Sequence, residues 1–162
     1  MTHDAPIIKA EELMNLNGKR IVVLVSEWNE KITEAMCNAC CEMLRSKNIH
    51  AKNLLVYHVP GSFELPVAAS WVLNNDDCDA IICLGCVMKG ETSHFDFISQ
   101  SVTDGIMKLN LEQDIPVIMG IITPHNMDQA LARSGGNVGN KGTEAAVAAI
   151  KMIALKEKLN SN

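Results

Sequence analysis

The apolar residues of this chain fall into two alternating rhythms. Arg20–Ser26 (RIVVLVS) is a continuous run of mostly β-branched residues, the pattern of a strand covered on both faces. Behind it Ile32, Ala35, Met36, Ala39, Cys40, Met43 and Leu44 recur at helical spacing and predict an amphipathic helix over about 29–47. The alternation then repeats. A strand over Asn53–Val59 stops at Pro60-Gly61, and the helix after it tolerates Pro66 in its first turn. A strand over Asp79–Gly85 precedes a helix from about 96 to 111, and Pro116–Ile122 is a fourth strand. Asn126 with Gln129 three residues later has the form of a capping box for a short helix ending near Arg133. A glycine-rich stretch, 135–142, leads to a last helix over about 143–159.

Four strand–helix repeats imply right-handed crossovers and a parallel sheet. The expectation is α/β: a three-layer α/β/α sandwich on a four-stranded sheet of order 2-1-3-4, flavodoxin-like, forming one domain over 1–162. Residues 1–18 are a lead-in segment with at most a short strand. In such folds ligands sit beyond the carboxyl ends of the strands, at the point where strand order reverses. That rule singles out Glu27-Trp28-Asn29, Gly61-Ser62-Phe63-Glu64, Cys86 to His94 and the segment after Ile122. The last helix is apolar nearly all round at Ala145–Ile150 and Met152–Leu155, which suggests an oligomer that covers it.

Composition narrows the function classes. Aromatics are only 4 % of residues, so the core is aliphatic, which suits a parallel sheet better than a β-sandwich. A net charge of −5 without a basic stripe argues against nucleic-acid or anionic-membrane partners, and any phosphate needs a local site. Met1 to Pro6 lack the pattern of a secretory signal, and no apolar run approaches the roughly 18 residues of a membrane span. Six cysteines without an export signal read as free thiols of a reducing cytoplasm.

Several residues at the predicted rim carry chemistry. His94 can shuttle a proton near neutral pH, or simply open a helix. Phe63 can line a ring pocket while Glu64 and free N–H groups at a helix start read polar ligand edges; a plain strand-to-helix turn is the competing reading. Trp28 can stack on a heterocycle or pack at the rim. Arg133 suits bidentate phosphate binding, against the alternative of a surface ion pair. The order of Gly135–Gly142 is not that of a nucleotide-binding loop, and it follows a helix instead of a strand. Cys37, Cys40 and Cys41 lie mid-helix without a second ligand pair, so they are packing residues and no metal site is expected. Cys86 has no activating partner and is no nucleophile.

Three stretches together resemble the lumazine synthase family: VPGSFELPVAA (59–69), LGCVMKGETSHFDFI (84–98) and PVIMGIITPHNMDQALARSGGNVGNKGTEAAVAAI (116–150). The likeness runs from about residue 20 to 155 in consistent order and spacing. It implies condensation of 5-amino-6-(D-ribitylamino)uracil with 3,4-dihydroxy-2-butanone 4-phosphate, with no metal or organic cofactor. By the family pattern Trp28 stacks on the pyrimidine, and Ser62, Phe63, Glu64, Cys86, Val87 and Met88 hold its ring and ribityl chain. Glu91, Thr92 and Arg133 hold the phosphorylated ketone, His94 transfers protons, and Lys141 matches the lysine of the family's GNKG segment. The chain departs from the pattern twice. Trp28 stands where many members carry Phe, and Met119 replaces a Phe that walls the ring pocket. The resemblance further implies homo-oligomers built from pentamers with shared sites, Arg133 coming from the neighbouring subunit, and in some members sixty-subunit cages.

Three other classes are weighed against this one. A non-catalytic relative would bind riboflavin tightly and form no lumazine. A flavodoxin-like electron carrier needs a hydroxyl-rich phosphate loop after strand 1, which Ser26-Glu27-Trp28-Asn29 does not supply; a receiver domain needs an Asp where strand 3 ends in Gly85-Cys86.

Overall fold

A computed structural model of the chain describes residues 12–161. The expected short strand and the expected lack of a signal fall mainly on earlier residues, outside those described. Among the described lead-in residues there is no strand; Leu16 is buried, and its N–H donates to the Lys47 carbonyl at 2.7 Å.

Four strands, β1 (Ile21–Ser26), β2 (Leu54–Val59), β3 (Ala80–Cys86) and β4 (Val117–Ile122), form a parallel sheet in the order β2-β1-β3-β4. The strand order therefore reverses between β1 and β3. Both central strands are buried at every position, as their unbroken apolar runs require. Side-chain alternation divides the core in two. Ile21, Val23 and Val25 meet Ile82 and Leu84 under helices α1 (Glu30–Ser46) and α5 (Lys141–Asn160). Val22, Leu24, Ile81 and Cys83 pack beneath α2 (Leu65–Asn75) and α3 (His94–Glu112). The architecture is the expected three-layer sandwich of flavodoxin-like type.

Three local results differ from the sequence reading. The buried face of α1 is wider than the predicted stripe, because Thr33, Cys37 and Cys41 add a second i, i+4 row to Ile32, Met36, Cys40 and Leu44. Residues 134–140 are no plain loop: after α4 (Met127–Arg133), β5 (Ser134–Gly136) and β6 (Gly139–Asn140) pair antiparallel through positive φ at Gly135 and Gly139. Third, α5 buries Ala145, Ala146, Ala149, Ile150 and Ile153 within its own chain, against α1 and the sheet. That stripe does not call for a partner subunit; the large apolar residues of α5 that stay exposed are Met152, Leu155 and Leu159. The α1–α5 contact is so close that a Cβ at Gly142 would lie 1.8 Å from the Met36 carbonyl oxygen.

Candidate functional site

Two clefts open along the carboxyl rim of the sheet. The first grows from the reversal point. After β1 the chain bends because Asn29 adopts the left-handed conformation, φ 61° and ψ 43°. Asparagine enters this region at lower cost than most residues. The Asn29 amide nitrogen donates to the Cys86 carbonyl at 3.0 Å, tying the end of β1 to the end of β3. Trp28, just before the bend, presents its indole 73 % exposed.

From β2 the chain passes through Pro60 and Gly61 into a 3-10 turn, Ser62–Glu64, that runs straight into α2. The turn lies hard against β3: a Cβ on Gly85 would be 2.5 Å from Ser62 Oγ. The Ser62 hydroxyl is buried and has no hydrogen-bond partner among the described residues, an uncommon state for such a group. Phe63 and Glu64 follow it, with the Phe63 ring more than half exposed.

The segment after β3 is fastened to the one after β4, since the Val87 N–H donates to Ile122 O and the Lys89 N–H to Pro124 O, each at 2.9 Å. Burial pushes the Cys86 thiol up to about 11. It therefore stays protonated at neutral pH and serves as a wall of the cleft. His94 opens α3, its N–H donating to Thr92 Oγ1 at 3.4 Å. Phe95 and Ile98 stand on the same side of that helix, at i+1 and i+4. Phe95 is flanked by the His125 ring, edge-on at 6.1 Å, and by Lys89 Nζ, 5.7 Å from its centroid.

These segments enclose a cleft of about 580 Å³. The structure brings Trp28, Ser62, Phe63, Glu64, Cys86, Val87, Met88 and His94 together in its lining. Asn29, Gly61, Phe95 and Ile98 line it as well. Asn29 and Gly61 belong to stretches the topology singled out. Ile98, four residues after His94 and three after Phe95, shares a helix face with each, and that spacing was the available signal for the other two. Glu91 and Thr92 are exposed on the connecting loop, outside the lining. Met119 lies in the edge strand β4, 39 % exposed, and lines neither of the two clefts at this rim.

Arg133 and Lys141 line a second cleft of about 450 Å³, beyond β4, together with Thr123, Pro124 and Gln129. The short helix that presents Arg133 is capped as expected, Asn126 Oδ1 accepting from the Gln129 N–H at 2.9 Å. The Gln129 side chain accepts from the His125 N–H, at 2.8 Å, instead of completing the box at Asn126. Arg133 grips Glu144 through both terminal nitrogens, Nη1 to Oε1 at 2.9 Å and Nη2 to Oε2 at 3.0 Å; Lys141 Nζ reaches Oε2 at 3.4 Å. Glu144 was missed in the sequence. Its place three residues after Lys141, in the first turn of α5, was the only pointer to it.

Residues 18–157 match the sequence model of the family described as 6,7-dimethyl-8-ribityllumazine synthase. The chain belongs to that family. Both clefts lie inside the matched span. Among its relatives, proteins called 6,7-dimethyl-8-ribityllumazine synthase are 49 % identical in Bacteroides fragilis and 47 % identical in Flavobacterium johnsoniae. The first alignment covers 85 % of this chain and 96 % of the relative, the second 89 % and 76 %. The relative from Cytophaga hutchinsonii is 46 % identical over 88 % of this chain and 90 % of its own length.

Proposed function

We propose that this protein condenses 5-amino-6-(D-ribitylamino)uracil with 3,4-dihydroxy-2-butanone 4-phosphate to give 6,7-dimethyl-8-ribityllumazine, phosphate and water, and that its 162 residues act as one domain. The observation that carries the reading is the cleft in which His94 shares one lining with Trp28 and Phe63. Exposed aromatic faces suit a pyrimidine ring, and the unpaired Ser62 hydroxyl and the Glu64 carboxylate suit its polar edges and ribityl chain.

The chemistry asks for little more. The ring amine and the ketone form an imine with loss of water, phosphate is eliminated, and the ribityl amine closes on the new carbonyl with loss of a second water. His94 moves protons in these steps, a contribution of about 10²–10⁴-fold. Holding the two reactants in register supplies the larger share. No resident metal or organic cofactor has a part in this scheme.

In this reading the phosphate of the ketone sits against Arg133 and Lys141, near Glu91 and Thr92. On one chain those cations and His94 line different clefts. A homo-oligomer built from pentamers, setting the second cleft of one subunit against the first of its neighbour, would unite them and could bring Met119 to the shared wall. Exposed Trp71, Phe97 and Leu111, which are 63 %, 70 % and 80 % accessible on the single chain, support such burial. No helix of the described residues is long and apolar enough to cross a membrane; we place the enzyme in the cytoplasm.

The test mixes purified protein with both substrates and follows the absorbance and fluorescence of the lumazine, with native mass read in parallel. Lumazine formation by a pentamer or a multiple of it is expected. Tight riboflavin binding without turnover would instead identify a flavin-binding relative and overturn the reading.

A further inference from the structure

Both cations that line the second cleft are held by an anion just outside its lining, Glu144. Arg133, Lys141 and Glu144 are each only about a quarter to a third exposed, so their charges act on one another with incomplete solvent screening. Two cations and one carboxylate leave a local charge of +1. A phosphate dianion bound there meets the two positive charges but also the repulsion of Glu144.

The hydrogen bonds specify how. Arg133 has five N–H groups. Nη1 directs one to Glu144 Oε1 and another to the Val138 carbonyl at 3.2 Å, and Nη2 directs one to Glu144 Oε2. The carboxylate thus occupies the end of the guanidinium and holds the plane in one orientation. Neither Nε–H nor the second Nη2–H has a partner among the described residues. These two N–H groups point the same way and form the side fork of the guanidinium, itself a bidentate match for phosphate oxygens.

We propose that Glu144 sets the affinity of this cleft for phosphate: it locks Arg133 end-on, leaves the side fork open to the ligand, and by its charge keeps the released dianion from being retained. The inference rests on the proposed placement of the phosphate at Arg133. It extends that placement by giving the carboxylate a role in product release. Both effects of Glu144 act on phosphate, and they oppose each other on removal: losing the lock weakens the site, losing the charge strengthens it. Charge acts on the dianion wherever it sits in the cleft, whereas the lock affects one of its two cations, so charge decides the sign.

The experiment measures binding of inorganic phosphate by calorimetry, and phosphate inhibition of lumazine formation, on the assembled wild-type protein and on Glu144→Gln, Glu144→Ala and Arg133→Ala. Glu144→Gln is expected to bind phosphate about tenfold more tightly, as removal of one like charge at short range implies. Its inhibition by phosphate should rise in step while its KM for the pyrimidine stays put, which a merely structural role would not produce. Glu144→Ala serves if the glutamine variant fails to assemble, and it too must bind more tightly. Unchanged or weaker phosphate binding by the folded Glu144 variants, with Arg133→Ala abolishing binding, overturns the role of Glu144 alone. Phosphate binding that survives Arg133→Ala overturns the placement of the phosphate as well.

Discussion

Asn29 and Cys86 are joined across the reversal of strand order by a 3.0 Å hydrogen bond from the Asn29 side chain to the Cys86 carbonyl. The bond needs Asn29 in the left-handed region, and that same bend sends Trp28 over the first cleft. Asn29→Ala should therefore cost stability twice, by about 1–2 kcal/mol for the backbone and about 1 kcal/mol for the lost bond. Asn29→Gly recovers the first loss and not the second. Thermal unfolding of the pair separates the two, and a KM for the pyrimidine that rises in both variants identifies the bond as what holds Trp28 in place.

Ser62 sets stability against binding. Its hydroxyl is buried without a partner among the described residues, so Ser62→Ala should be neutral or stabilising, by up to about 1 kcal/mol. If the hydroxyl meets the substrate, the same change raises KM several-fold. A denaturant midpoint that drops would mean that Ser62 already has a partner in the free enzyme.

Packing makes a sharper demand at Gly142. A methyl group there would meet the Met36 carbonyl at 1.8 Å, and that oxygen is helix backbone. The α1–α5 contact must open to admit it, at a cost of about 3 kcal/mol or more, the upper end of overpacking effects. At Gly90 an added Cβ meets nothing within 4 Å. Gly142→Ala should lose most of its soluble yield or unfold at much lower urea, while Gly90→Ala melts like the parent.

The contrast between these positions follows the limits of what a sequence displays. The strands and their order were legible because Ile21–Val25 and Ala80–Leu84 are buried on both faces and carry no polar residue to interrupt the pattern. The first cleft was legible because topology alone fixes which loops share a rim. What stayed hidden depends on tertiary approach. Cys37 and Cys41 read as packing residues but fall outside the predicted apolar stripe of α1 until α5 covers them, and the Ala-rich face of α5 looks unpartnered until α1 meets it. Glu144 pairs with an arginine eleven positions away, across a hairpin that the glycines of 135–142 disguised as a loop.

Alkaline pH should weaken the fold through its buried thiols. Burial pushes Cys83 up to about 12 and Cys78 and Cys86 up to about 11, from an ordinary value of 9.0. A folded-state value above the unfolded one means that the stabilisation is complete below about pH 9. It is then lost as pH rises through the folded values, because the unfolded chain ionises first. Urea midpoints measured from pH 7 to 11 should fall over that window. Cys83→Ala should start lower, through lost packing, yet fall less steeply. An equal slope in parent and variant would exclude Cys83 as a source.

His94 gives the most direct reading of how the rate is produced. It lies at the start of α3, exposed, and its side chain takes part in no hydrogen bond or ion pair among the described residues, so His94→Ala should fold and assemble normally. If the imidazole moves protons while the two clefts hold the reactants, the variant loses about 10²–10⁴ in kcat and keeps its KM within a few-fold. The residual rate belongs to positioning, and Trp28→Ala should reduce it chiefly through KM. Turnover that vanishes in a folded, substrate-binding His94→Ala protein would place the main share of the acceleration in the imidazole. Turnover that hardly changes would assign proton transfer to solvent or to another group in the cleft, with Glu64 first to be tried.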